Sequence, residues 1–216
     1  MYQLAIFDMD GTILNTLEDL KNSINYALRV NGFPEHTLDE VRSFVGNGTA
    51  KLVERSVPAH TDAEKQKQVL ASFDEYYTVH CAEATKPYEG IRELLLFLRE
   101  HGVKTSVVSN KPDYGVQALC KQYFPGLFDF AIGMKDGMRK KPAPDAVLEV
   151  LQVLNVEKEN AVFVGDSDVD VKTALNAGLY CIGVTWGFRD RELLVETGAD
   201  RIADHPREIA DYLSLL

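Results

Sequence analysis

The chain has 216 residues, 45% of them hydrophobic, and a formal net charge of −10 at pH 7. That apolar content suits one ordinary core with a smaller insert better than two equal domains. The acidic balance excludes a basic stripe able to neutralise a nucleic-acid backbone, so an anionic substrate would need positive charge gathered locally, from a metal or a few Lys and Arg.

The first element is a strand, Leu4-Ala5-Ile6-Phe7, which runs directly into Asp8-Met9-Asp10-Gly11-Thr12. A period of two would point Asp8 and Asp10 to the same side, at the mouth of an open sheet. Carboxylates that close require a cation or a proton between them. The bland alternative is a turn, since Asp-Gly is a common turn dipeptide.

From Leu17 the spacing turns helical, with Leu20, Ile24, Ala27 and Leu28 on one face and Asn31-Gly32 as the stop. Thr37 and Glu40 form a capping-box pattern for a second helix through Val41 and Phe44. A polar loop, Gly46-Asn47-Gly48, precedes a third amphipathic segment with Leu52, Val53 and Val57, which Pro58 ends. A long helix covers Asp62 to about Ala82, with Phe73, Tyr76 and Tyr77 read as core. Residues 17–82 contain no convincing strand, and the block reads as a helical insert of about 65 residues.

After Lys86-Pro87 strands and helices alternate. Helix 91–100 is followed by strand Thr105–Val108, which ends in Ser109-Asn110-Lys111. A helix over 113–122, a strand near 128–132, a polar loop to Lys140-Lys141 and a helix over 146–154 come next. Strand Ala161–Val164 ends in Gly165-Asp166-Ser167-Asp168-Val169-Asp170 and opens a helix to Ala177-Gly178. Strand Tyr180–Val184, a helix from Arg191, a short strand at Arg201–Ala203 and a helix after Pro206 complete the pattern. Helical crossovers between strands mean a doubly wound parallel α/β sheet, which the first strand must rejoin.

The chemistry-bearing clusters are Asp8/Asp10, Ser109/Asn110, Lys140/Lys141 and Asp166/Asp168/Asp170. All stand at strand ends or open helices, so one sheet edge can gather them. The oxygen-rich donor set suits Mg²⁺ rather than Zn²⁺. Three scattered cysteines, Cys81, Cys120 and Cys181, fit neither a metal spacing nor a disulfide framework, which points to reduced thiols in the cytoplasm. There is no basic leader, and no apolar run nears the ~18 residues of a bilayer span, so no membrane partner is expected.

FDMDGT, SNK, KPAP and GDSDVD, in that order, resemble the four motifs of the haloacid dehalogenase superfamily, and the helical insert is similar to that superfamily's cap. The resemblance implies a Rossmann-like core over residues 1–14 and 85–216 with an α-helical cap over 15–84. It implies that Asp8 is a nucleophile forming an aspartyl-phosphate and that Asp10 is the general acid and base. Ser109 and Asn110 would donate to phosphoryl oxygens, and Lys141 would offset their charge. Asp166, with Asp8 and the main-chain carbonyl of Asp10, would hold Mg²⁺, and Asp170 would support it through water or Lys141. The cap loop Gly46-Asn47-Gly48 would touch the leaving group, and Lys51 and Arg55 are candidates for a substrate carboxylate.

The stretch from Phe163 to Glu192 and the cap run VRSFVGNGTAKLVER are similar to phosphoglycolate phosphatases, a subgroup that also holds pyrophosphatases and promiscuous sugar-phosphate phosphatases. The expected partner is therefore a small phosphorylated metabolite, 2-phosphoglycolate first. Pyrophosphatase and phosphomutase are the enzyme rivals, and a non-catalytic binding protein on the same fold is the rival from another class. Three bland readings stay beside these. Ser109-Asn110 and Gly46–Gly48 could be turns, Lys51 and Arg55 with Lys140 solvated charges, and Asp168 a carboxylate that favours the following helix N-terminus through the macrodipole. The sequence leaves monomer and homodimer open.

Overall fold

Leu4–Phe7 (β1) is fully buried and lies in the middle of its sheet. The computed structural model describes residues 2–213. On one side β1 pairs in parallel with β4 (Lys104–Pro112), and on the other with β6 (Ala161–Gly165). With β5 (Phe130–Met134), β7 (Tyr180–Val184) and β8 (Arg201–Ala203) the order is β5-β4-β1-β6-β7-β8, parallel throughout. β2 (Leu14–Asn15) and β3 (Lys86–Pro87) form a separate two-stranded sheet that the sequence pattern does not reveal.

A strand buried on both faces needs no polar alternation, and β1 has none. Leu4 and Ile6 join the cluster built with Val147, Val150, Val171 and Ala174. Those four belong to α7 (Asp145–Leu154) and α8 (Asp168–Ala177). The opposite face packs α5 (Ile91–Glu100) and α6 (Asp113–Tyr123) on β4. α9 (Arg191–Thr197) packs on β7 and β8, and α10 (Pro206–Tyr212) on α5 and β8.

Two compact units result, one comprising residues up to Leu14 and from Pro87 onward, the other Asn15–Lys86. The second holds α1 (Leu17–Val30), α2 (Leu38–Phe44), α3 (Thr49–Ser56) and α4 (Ala63–His80). The Thr37–Glu40 capping box is formed on both sides, and Asp62 caps α4 through Lys65 N. Phe73 and Tyr77 are buried, whereas Tyr76 is half-buried and stacks on Tyr26, with ring centroids 4.2 Å apart. Asp19, buried on α1, accepts from Ala84 N at 2.9 Å and Thr85 N at 2.8 Å. The start and the end of the helical unit are thereby tied by one carboxylate.

Among the described residues the three cysteines form no disulfide. Among the described residues no helix is long and apolar enough to cross a membrane.

Candidate active site

Register delivers the first pair of clusters. Phe7 lies level with Val107 and Val164, so the residues just past it emerge beside the ends of β4 and β6. Asp8 continues the ladder by donating its N–H to Val164 O at 2.9 Å. The strand then ends in a tight turn in which Met9 O accepts from the N–H groups of Thr12, Ile13 and Leu14. Asp8 and Asp10 therefore sit on a loop rather than on strand period two.

What separates the two charges is a pair of lysines. Lys141 Nζ donates to Asp8 Oδ1 at 2.6 Å, and Lys111 Nζ donates to Asp10 Oδ1 at 2.8 Å. The sequence pattern gives no sign that Lys111 contributes. β4 does not stop at Val108 but runs on, with a register irregularity, through the buried Ser109, Asn110 and Lys111. An irregularity of this kind re-aims side chains that plain alternation would send to opposite faces.

Asn110, expected to reach phosphoryl oxygens, holds the main chain of Lys141. Its Oδ1 accepts from Lys141 N at 2.8 Å and its Nδ2 donates to Lys141 O at 3.1 Å. The ammonium of Lys141 is held by Asp8, by Asp170 Oδ1 at 2.7 Å and by Val108 O at 3.1 Å. Lys140 is exposed, so of the two neighbours Lys141 occupies the site.

Asp170 uses its second oxygen as the returning half of a capping box at the start of α8, accepting from Ser167 N at 3.1 Å and Ser167 Oγ at 2.6 Å. Asp168 pairs with Lys172 one turn along the same helix, as a surface charge would. Asp166 is fixed from two distant places. Its Oδ1 accepts from Thr12 Oγ1 at 3.2 Å and its Oδ2 from Phe188 N at 2.7 Å.

The turn after β7, for which the sequence suggests no physical role, closes over this carboxylate. Trp186 Nε1 donates to Thr12 O at 2.9 Å, and a Cβ on Gly187 would fall 2.3 Å from Asp166 Cβ. Gly11 is under the same constraint with φ +94°, since a Cβ there would lie 2.3 Å from Asp166 Oδ2. Side chains at either position would displace Asp166, so both glycines are required by packing.

Asp8, Asp166 and Asp170 offer oxygen atoms that all lie within 4.8 Å of one another. Burial raises the Asp8 carboxyl well above the usual carboxylate range, and Asp170 raises it further while Lys141 opposes. Asp166 is pushed up to about 7, first by burial and then by Asp170, against its hydrogen bonds to Phe188 and Thr12. Burial lowers the Lys141 ammonium, but Asp170 and Asp8 outweigh it and the pKa ends above its ordinary value. Three carboxylates for one lysine leave net negative charge in a buried pocket, which fits a divalent cation with oxygen ligands.

A pH dependence follows from the Asp166 value. A carboxyl whose pKa is raised on folding contributes stability that is fully present below about 4 and is lost as pH rises through about 7. Metal-free protein is therefore expected to melt lower at pH 8 than at pH 6. A cation that binds the ionised carboxylates reverses this, so added Mg²⁺ should raise Tm more at pH 8 than at pH 6. Equal shifts at the two pH values, by calorimetry, would refute the linkage.

The remaining expected residues belong to the helical unit. Gly46 has φ +115°, and Gly48, with φ +84°, is the N-cap of α3. Asn47 lies between them. Lys51 pairs with Glu54 on α3, and Arg55 donates to Phe44 O at 2.8 Å.

The sequence matches the family described as haloacid dehalogenase-like hydrolase over residues 5–184. It is 38% identical over 193 residues to a phosphoglycolate phosphatase of Pseudomonas putida, covering 86% of this chain and 70% of that one. It is 33% identical over 213 residues to the enzyme of that name from Pseudomonas savastanoi pv. phaseolicola, covering 96% and 78%. A crystal structure of a candidate phosphoglycolate phosphatase from Lactobacillus delbrueckii subsp. bulgaricus superposes with a TM-score of 0.94, at 38% identity and 98% coverage of both chains.

Proposed function

The chain belongs to the haloacid dehalogenase-like hydrolases and is a phosphatase; within that family we propose that it hydrolyses 2-phosphoglycolate through a covalent aspartyl-phosphate. The observation that carries the reading is the buried Lys141 ammonium, held between Asp8 at 2.6 Å and Asp170 at 2.7 Å beside Asp166. A carboxylate kept beside a fixed cation is suited to attack a phosphoryl group, whose own negative charge would otherwise repel it.

In the first step an Asp8 oxygen forms a bond to phosphorus as the bond to the leaving oxygen breaks. Asp10 delivers a proton to that oxygen. In the second step water attacks phosphorus, Asp10 takes its proton, and the bond to Asp8 breaks to release inorganic phosphate. Lys141 stays charged throughout, as its raised pKa requires, and Asn110 keeps it in place. Ser109 donates to the phosphoryl oxygens. Mg²⁺, held by Asp8, Asp166 and the main-chain carbonyl of Asp10 with Asp170 behind, would supply further positive charge where negative charge builds up. Residues 15–84 would serve as a lid, in which Gly46, Asn47, Gly48 and Lys51 reach the leaving group and closure excludes bulk water.

The substrate assignment is supported by the names of the relatives. It is tested by steady-state kcat/KM with Mg²⁺ across phosphoglycolate, pyrophosphate, hexose phosphates and nucleotides. Phosphoglycolate should lead by more than tenfold, or about 1.4 kcal/mol of transition-state binding. A smaller lead would make the protein a generalist, and a lead for pyrophosphate would overturn the assignment.

A further inference from the structure

Lys111 has no part in the scheme above, yet it is as deeply placed as the lysine that does. Its side chain is 2% exposed, and its ammonium lies 2.8 Å from Asp10 Oδ1, on a side chain that is itself 16% exposed. A buried ammonium is tolerated only when paired, so this contact is part of how the residue is accommodated.

Its freedom is small. A Cβ on Gly115, in the first turn of α6, would come within 3.4 Å of Lys111 Cδ, which places the stem against that helix. A Cβ on Gly133, in β5, would lie 2.6 Å from Lys111 O. Lys111 N donates to Ser109 Oγ at 3.2 Å, which links the lysine to the hydroxyl two residues earlier. Main chain, stem and head are thus each constrained by a different neighbour.

The two buried lysines divide the carboxylates between them, Lys141 on Asp8 and Asp170, Lys111 on Asp10. We propose that Lys111 is a positioning residue for proton transfer: by anchoring Oδ1 it fixes the Asp10 rotamer so that Oδ2 faces the leaving-group oxygen. The proton then passes from Oδ2 to the departing alkoxide as the phosphorus–oxygen bond breaks, with Lys111 keeping all of its own protons. This inference rests on Asp10 being the acid, and its test separates the two.

The test compares kcat/KM, with Mg²⁺ present, for 2-phosphoglycolate, ethyl phosphate and p-nitrophenyl phosphate. Because kcat/KM ends at the first irreversible step, it reports departure of the leaving group. An alkoxide needs a proton to leave, whereas p-nitrophenolate does not. Lys111→Met should lose about thirtyfold or more on both alkyl esters and less than threefold on the aryl ester, a part of the roughly 10²–10⁴-fold that general acid catalysis contributes. Lys111→Arg, which restores a cation, should recover part of the alkyl loss. A loss confined to phosphoglycolate would make Lys111 a contact for the substrate carboxylate and overturn the inference. Equal losses on all three esters would make it merely structural and overturn the inference too. Asp10→Asn is run alongside. If it lacks the alkyl–aryl split, the acid assignment itself fails. If it shows the split and Lys111→Met does not, only the role of Lys111 fails.

Discussion

Asp8→Asn is expected to lower turnover by ~10⁴ or more and to remove any acid-stable phosphoenzyme, while the protein stays folded. The substitution is nearly isosteric and takes away the one group able to bond phosphorus. The structure also gives it an unusual stability profile. In the metal-free site the ionised form of Asp8 is disfavoured by burial and by Asp170, and Lys141 only partly compensates. An uncharged amide removes that repulsion, and Lys141 still keeps Asp170 at 2.7 Å. The melting temperature of the metal-free variant should equal or exceed that of the parent, a gain in stability at the cost of activity. Residual activity above about one part in a hundred would rule out the covalent scheme, and a lower Tm would contradict the account of the pocket's electrostatics.

Lys141→Met should produce the opposite combination, with both activity and stability lost. The methionine stem fills the same space, but Asp8, Asp166 and Asp170 are left as a buried group of carboxylates without their cation. Removing one partner from a buried charged network costs about 3–5 kcal/mol, because the charges that remain have neither water nor a counter-charge. Urea unfolding of the metal-free protein should show a loss of that size at pH 8 and a smaller one at pH 5, where the carboxyls with raised pKa values are protonated. Turnover should fall by roughly 10³ through the lost charge neutralisation. The double variant Lys141→Met/Asp170→Asn separates the two effects. It should recover part of the stability and none of the activity. Recovery of both would mean that Lys141 acts only as a structural counter-ion.

The α/β alternation and the helical insert were legible in the sequence because each rests on local physics. Apolar period, capping signals such as Thr37–Glu40 and the glycine stops all act within a few residues. The clusters that hold Asp8 and Asp166 were legible because charged residues directly beside apolar strand signals have few bland explanations, whereas Lys141 was told from Lys140 only by the resemblance of KPAP to a family motif. The rest depended on partners that are far apart in the chain. Nothing near Asn110 indicates that it will clasp Lys141, thirty-one residues on. Lys111 is indistinguishable from a solvated turn lysine until Asp10, one hundred and one residues earlier, is brought to it. Polar residues after Val108 suggest a turn, and only their burial among other charges lets β4 run on to Pro112. Trp186-Gly187-Phe188 has no local pattern of its own. What it needed was the knowledge that Asp166 requires a donor and a neighbour without a side chain.

The central place of β1 also bears on how the chain matures during synthesis. Leu4–Phe7 is made first, yet its first neighbour in the sheet is Lys104–Val107 and its second is Ala161–Val164. Such distant pairings close slowly, because a long loop must be ordered before any contact rewards it. Residues 15–86 depend on no such wait, since their unit is continuous in sequence. A growing chain therefore carries an apolar strand with both edges open until Lys104–Val107 is made, and with one edge open until Ala161–Val164 follows. Until Lys111 and then Lys141 are made, the two carboxylates that follow the strand lack the lysines that neutralise them, and the nucleophile exists without an active site around it.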